Sequence, residues 1–339
     1  MADLSLAPLQ AVEASTRDHA VLSRQLQAEG YLFVRGLIDP EKVGRVRSDI
    51  GQLLIRRGFA VDDPQRELKW SGRMPESTEL TPSGPVGRMI GDLPSLTEVI
   101  HDRELFSFLG ALFDGEVFSW VENADRVRII FQDLAPGKTR GQHFDYVTPA
   151  HQDGYHFRVS FVTCWVALMD IDLTTGGLAL CKGSHRKGVH QHWYRGAQYL
   201  GIPQNPEQAR EMARMGAVPV AGESAPDDSP KTWLRSDYRA GDVLIFHPHM
   251  VHCGLPNRSP QLRVSADFRY QRRGDPTVWQ SGCRLFECHK FLDESRACLE
   301  GMDIDQGVAD RAWELMRRHG PSPDMDLPTQ ARQMVSRVT

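Results

Sequence analysis

Apolar and polar side chains alternate most cleanly late in the chain. Over residues 262–271, Leu262, Val264, Ala266, Phe268 and Tyr270 fall on one face of an extended strand, and Arg263, Ser265, Asp267, Arg269 and Gln271 on the other. That two-residue period predicts a strand with one face for packing and one for a polar cavity. Further strand-like runs occupy 126–134, 159–169, 177–181 and 242–247, most of them close to Gly, Pro or Asn, as strands bounded by turns should be. Before them, residues 5–59 read as helix, short strand, helix. The apolar run Gly30-Tyr31-Leu32-Phe33-Val34-Arg35-Gly36 lies between glycines, and Asp39-Pro40-Glu41 opens the second helix, with proline and an acid in the first turn where spare N–H groups and the dipole favour them.

Residues 60–90 are rich in Pro, Gly and charge and read as a long loop, and 94–113 as two helical turns or more. The chain turns helical again from 293, notably over 309–318, before a proline-containing tail. Between the strands, 186–240 carries Pro203, Pro206, Pro219, Pro226, Pro230 and an acidic tract at 223–228, the marks of a functional lid or a partly disordered excursion. The expected organisation is a single domain over 1–339, mainly β with surrounding helices: helical and strand support over 1–120, a β core over 121–272 with the lid inserted at 186–240, and C-terminal helices and tail over 273–339.

Composition narrows the function. With 339 residues, 40% apolar and 25% charged, the chain has the make-up of a soluble globular protein. Its 40 basic and 44 acidic residues leave a formal charge of −4, so no basic excess argues for nucleic acid. The longest apolar run, eleven residues between Arg158 and Asp170, is too short to span a membrane. The opening Met1-Ala2-Asp3-Leu4 has no basic stretch followed by an apolar one, so the cytoplasm is the expected compartment. Six cysteines without a C-x-x-C pair read as reduced, mostly buried thiols. Oligomeric state is not readable.

Histidines carry the chemistry. His151-Gln152-Asp153 is followed far downstream by His247-Pro248-His249-Met250-Val251-His252. On a strand, residues two apart share a face, so a His and an Asp at that spacing reach one ion together, and a distant His completes a facial set. Two imidazoles and a carboxylate suit iron(II) and leave positions free for small ligands, as in non-haem iron oxygenases. His143-Phe144-Asp145 has the same spacing, and strand parity does not separate the two pairs. Arg263 offers a guanidinium that can fork onto a carboxylate, or it pairs internally with Asp267 or Asp170. His247 and His249 are candidates to support the metal, and His185, His190 and His192 are expected in a solvated turn and lid. A rival reading is a non-catalytic metal-binding β-barrel whose zinc site is closed by His249 or Cys253. A small-molecule substrate is expected over the metal, near Tyr155, His156 and Arg158.

A wider set of residues resembles the phytanoyl-CoA dioxygenase family of iron(II)- and 2-oxoglutarate-dependent oxygenases. It comprises Gly30-Tyr31-Leu32-Phe33-Val34-Arg35-Gly36-Leu37, His151-Gln152-Asp153, Trp165, Gly176-Gly177-Leu178-Ala179-Leu180 leading into Gly183-Ser184-His185, Gly241-Asp242-Val243-Leu244-Ile245-Phe246, His252, Asn257 and Arg263. In order and spacing they cover roughly residues 25–272, a distributed match that is more specific than any one motif. The resemblance implies a double-stranded β-helix, a cupin-like jelly roll. It also implies that His151, Asp153 and His252 are the catalytic iron ligands. Arg263 then holds the distal carboxylate of 2-oxoglutarate, Trp165 lies beside that cosubstrate, and Ser265 completes an Arg-x-Ser pair. Iron(II), 2-oxoglutarate and O2 would be consumed to oxidise a C–H bond of a small or medium-sized metabolite, most simply by hydroxylation, releasing succinate and CO2. Asp153 disfavours halogenation, because related halogenases replace this carboxylate with a small residue. Two departures stand out: Lys182 replaces a proline before Gly-Ser-His, and Cys253-Gly254 replaces Gly-Ser after the distal histidine.

Overall fold

The computed structural model describes residues 5–61, 68–76, 79–80, 84–120, 127–133, 148–155, 160–196, 198–222, 224–275, 295–319 and 327–339. Strands β1 (Ser5–Ala7) and β2 (Ala11–Val12) lead into helix α1 (His19–Glu29), strand β3 (Tyr31–Val34) and helix α2 (Pro40–Arg56). Next come the paired strands β4 (Ala60–Val61) and β5 (Lys69–Trp70), helices α3 (Pro85–Gly91), α4 (Pro94–Ile100) and α5 (Arg103–Phe113), and strands β6 (Val117–Ser119) and β7 (Val127–Ile130). The chain continues through β8 (Val162–Ala167), β9 (Gly177–Cys181), β10 (His192–Arg195), β11 (Gln198–Gly201), α6 (Pro206–Arg214), β12 (Val218–Ala221) and β13 (Thr232–Leu234). It then forms β14 (Val243–Phe246), β15 (His252–Leu255), β16 (Arg263–Arg272), α7 (Gln306–His319) and α8 (Leu327–Val338).

These residues form two compact units. The first takes in residues 1–150, 161–187 and 230–274. Its larger sheet runs β2-β3-β14-β8-β16-β6, with β7 also on β16, and its smaller sheet runs β1-β13-β9-β15. Along the chain, β8 lies in the larger sheet, β9 and β13 in the smaller, β14 in the larger, β15 in the smaller and β16 in the larger. That back-and-forth winding is the double-stranded β-helix the resemblance implies.

Local chemistry sets the flanking elements. Asp18 caps α1 by accepting from the Val21 N–H, and Gly30 ends it at φ 79° with its N–H on the Leu26 carbonyl. Such a left-handed stop favours glycine. Gly30 is also a close approach, since a Cβ there would lie 2.4 Å from His185 Nδ1. The predicted start of α2 is observed: Asp39 accepts from the Glu41 N–H and Pro40 takes the first helical position. The expected loop over 60–90 contains β4, β5 and α3.

Both faces of β16 are largely buried. Val264, Ala266, Phe268 and Tyr270 are at most 1% exposed, and this face meets the helices: the Tyr270 hydroxyl donates to the Ile100 carbonyl at 2.7 Å, and its ring meets Phe106 of α5 edge-on at 5.7 Å. The opposite face is the predicted polar one.

The second unit takes in residues 151–160, 188–229 and 275–339. The expected lid folds here into the antiparallel sheet β11-β10-β12 and α6, whose Met212 packs with Trp193 and Ala217. Helices α7 and α8 share a core of Ala309, Ala312, Met316, Ala331 and Met334. The expected proline-containing tail is thus corrected to helix over Leu327–Val338. Pro328 falls in its first turn, where a missing N–H costs nothing. Among the described residues, no helix is long and apolar enough to cross a membrane.

Candidate metal and cosubstrate site

His151 and Asp153 converge through a turn rather than along a strand. Asp153 opens a 3-10 turn, Asp153–Tyr155, and its Oδ1 lies 3.6 Å from His151 Nε2. The expected strand parity is therefore corrected: a tight turn brings the two side chains together. Asp153 is buried, at 3% exposure. His252 opens β15, and its Nδ1 lies 3.0 Å from the Met250 carbonyl. That carbonyl can only accept, so Nδ1 carries the proton and the lone pair sits on Nε2, the tautomer a metal ligand needs.

One ligand atom from each of His151, Asp153 and His252 lies within 4.8 Å of the others. Among the described residues, this is the only group of three or more His, Cys, Asp or Glu so arranged. His249 and Cys253, the fourth ligands that a closed zinc site would need, do not join it. Burial pushes the Cys253 thiol up to about 12. Two imidazoles and one carboxylate, with His252 held in the right tautomer, fit iron(II).

Arg263 opens β16 and is 4% exposed. Its Nη1 donates to the Leu255 carbonyl at 2.8 Å, with those of Gly177 and Thr175 at 3.4 and 3.5 Å. Among the described residues, its Nε has no hydrogen-bond partner. Neither carboxylate considered from sequence pairs with it. Asp170 accepts from the Ala240 N–H, and Asp267 is held by Arg128 at 3.1 Å and Arg269 at 2.7 Å. Burial lowers the Arg263 pKa to about 10, so the group still carries its charge at neutral pH. A buried cation without a counter-ion is costly, and a ligand carboxylate is the group that would complete it.

The surroundings of Arg263 are built closely. Gly176, at φ 96°, lies so near that a Cβ would stand 2.5 Å from the Leu255 carbonyl oxygen and 2.7 Å from Arg263 Nη1. Trp165 of β8 is 4% exposed, pairs in register with Asp267 and Leu244, and meets the Tyr238 ring at 4.7 Å. Ser265, 1% exposed, shares the polar face of β16 with Arg263.

Sequence reasoning missed several neighbours. Tyr238 is fully buried, with its hydroxyl donating to the Leu178 carbonyl at 2.8 Å; burial pushes its phenol well above the ordinary range. Arg235 donates to the Gly176 carbonyl at 3.1 Å and pairs with Asp237. Their only sequence signal was a place just before Gly241-Asp242, which does not distinguish them.

The remaining predicted residues divide. The Tyr155 ring stacks on His192 at 3.8 Å, and the Tyr199 hydroxyl lies 2.8 Å from His192 Nδ1. His156, Arg158, His143 and Asp145 lie outside the described residues. His185, His190 and His192, expected to be solvated, are buried at 8%, 9% and 0% exposure; His185 sits in the turn Ser184–Lys187 against the Gln27 carbonyl, and His190 and His192 belong to the folded segment 188–229 rather than to an open loop. His247 and His249 stay apart from the metal group, with ring centroids 5.3 Å apart. Burial, followed by the neighbouring His249 and His185, lowers the His247 pKa to about 4.

Comparison with known proteins places this arrangement. The family model described as phytanoyl-CoA dioxygenase (PhyH) matches residues 26–265. A 1-deoxypentalenic acid 11-beta-hydroxylase from Streptomyces arenae is 27% identical, covering 75% of this chain and 81% of the relative. Ectoine dioxygenase from Halomonas elongata is 24% identical, covering 74% of this chain and 69% of the relative. Among solved structures, the non-heme alpha ketoglutarate dependent carbocyclase SnoK from nogalamycin biosynthesis is similar at TM-score 0.48 and 15% identity, covering 79% of this chain and 89% of that one. The family match alone spans most of the chain and takes in His151, Asp153, His252 and Arg263. The chain belongs to the phytanoyl-CoA dioxygenase family and is an iron(II)- and 2-oxoglutarate-dependent dioxygenase.

Proposed function

We propose that the enzyme hydroxylates a C–H bond of a small or medium-sized metabolite, with His151, Asp153 and His252 as its iron ligands and Arg263 as the anchor of 2-oxoglutarate. The observation that carries this reading is the approach of three ligand atoms to within 4.8 Å of one another. When bound, iron(II) supplies the site for O2 activation, coupled to loss of CO2 from 2-oxoglutarate and formation of succinate. The protein's part is to bind, orient and keep water out. The Met250 carbonyl fixes the His252 tautomer. Arg263 presents Nε, which has no partner among the described residues, to the distal carboxylate. Trp165 and Ser265, buried on the same sheet face, wall the cosubstrate. Tyr155, with His156 and Arg158 close behind it in sequence, is assigned to the substrate side. Hydroxylation of a small metabolite also agrees with the relative that acts on 1-deoxypentalenic acid.

The test is anaerobic addition of iron(II) and 2-oxoglutarate, followed by O2 and a panel of metabolites. The expected result is a visible absorption band of the chelate, then succinate release and a product heavier by one oxygen atom. Asp153→Ala and His151→Ala should lose the band. A His151→Ala protein that keeps its iron would overturn the ligand assignment.

A further inference from the structure

We infer that Gln152, which stands between His151 and Asp153, is a positioning residue that ties the metal-binding turn to the neck of the inserted segment 188–229. The inference rests on the iron-centre reading above. Gln152 is fully buried, at 0% exposure. Its Nε2 donates to the Gly188 carbonyl at 2.8 Å, and its Oε1 accepts from the His190 N–H at 2.8 Å. Both partners are backbone groups where the segment begins.

The far end of the segment closes onto the same place. The Ser224 N–H donates to the Val189 carbonyl at 3.2 Å, the Gln191 N–H donates to the Ser224 carbonyl at 3.0 Å, and His190 bridges Ser224 in parallel. Gly222 packs so tightly that a Cβ there would lie 1.9 Å from the His190 carbonyl oxygen. One carboxamide thus joins a closed neck to the backbone that carries two of the three ligands.

The chemistry selects glutamine. The neck offers one acceptor and one donor, and a carboxamide answers both at once from two separate atoms. Glutamate at neutral pH keeps the acceptor but has no donor for Gly188, and asparagine is one methylene short. Because the neck and the ligands share this link, order in one favours order in the other, and the coupling is reciprocal. Outer contacts that orient ligands typically change metal affinity by roughly 10- to 100-fold when removed.

The experiment uses the full chain under anaerobic conditions, with iron(II) and 2-oxoglutarate as probes. Chelate absorption reads iron affinity, and backbone hydrogen exchange over residues 188–192 reads the neck. In the wild type, iron should slow that exchange. Gln152→Leu should need about tenfold more iron or above for the same band, and its neck should exchange quickly with or without metal. Gln152→Glu should fall between the two. A Gln152→Leu protein with the wild-type unfolding midpoint that titrates normally, or keeps iron-dependent slowing of the neck, overturns the inference. Should Gln152→Leu fail to fold, the near-isosteric Gln152→Glu carries the same comparison. Absence of the band in the wild type would instead bring down the iron-centre reading, and this inference with it.

Discussion

Arg263 shows how a residue's environment declares its purpose. From sequence, an inward arginine on a strand has two readings, an internal ion pair or an anion anchor, and only burial and partner geometry separate them. The structure removes the ion pair, since Asp170 and Asp267 are engaged elsewhere. Replacing Arg263 by Met should weaken 2-oxoglutarate binding about 10- to 100-fold, the effect of losing hydrogen bonds to a charged group. It should not lower the unfolding midpoint of the ligand-free protein, because it removes an uncompensated buried cation. Titration of the chelate band and denaturation in urea check the two halves, and a large loss of stability would mean the guanidinium is structural. His247 makes a different residue-scale case. Its pKa falls from an ordinary 6.5 to about 4 in the folded protein, so between those values the unfolded chain binds the extra proton. Stability is then full above pH 6.5 and declines as pH falls toward 4. With solvent screening of this half-buried ring, the decline from pH 7 to 5 should be about 1 kcal/mol. Urea midpoints against pH should show the slope, and His247→Gln should flatten it. The spelling His-Pro-His supplies only the neighbouring His249; the larger cause is burial, and His185 adds to it from a distant part of the chain.

Elements were legible where the local pattern and the tertiary environment agree. Strand β9 was read at its observed bounds, and β16 within one residue, because an apolar run after glycine in the one and a period of two in the other need only neighbours in sequence to be visible. The proline and acid at the start of α2 were equally local. What did not show was the sheet and helix inside 188–229. Its prolines suggested irregular chain, yet Pro206 simply starts α6 behind the Asn205 cap. The C-terminal helix was hidden for the same reason. The packing face of β16 and the backbone against Arg263 should respond differently to substitution. Phe268→Ala, at a site 1% exposed, should cost about 3–5 kcal/mol through lost burial and a cavity, as measured by urea unfolding. Gly176→Ala should act through function as well. Its φ of 96° is strained for alanine, and the new methyl meets the Leu255 carbonyl and Arg263. Both stability and 2-oxoglutarate affinity should fall together. Normal cosubstrate binding in that variant would show that Arg263 is free to shift.

At the scale of the whole molecule, the sequence contained the proposed iron ligands but not the winding that makes them a set. Strand β14 pairs with β3 on one side and β8 on the other, partners far from it and from each other along the chain, and no local pattern encodes such pairings. His151 and Asp153 are likewise far along the chain from His252, so an unfolded polypeptide holds no site and binds iron only weakly. Ligands that bind the native state alone stabilise it by mass action. Iron(II) with 2-oxoglutarate at roughly a hundred times the dissociation constant should add about 2.7 kcal/mol. At about 2 °C per kcal/mol for a chain of this size or slightly smaller, the melting midpoint should rise by about 5 °C. The rise should appear under anaerobic conditions, depend on both components, and vanish in Asp153→Ala, where one ligand is missing. Arg263→Met separates the two contributions: iron alone should still stabilise it, while added 2-oxoglutarate should contribute little at the same concentration. An equal rise in wild type and Asp153→Ala would mean that the metal binds somewhere other than at His151, Asp153 and His252.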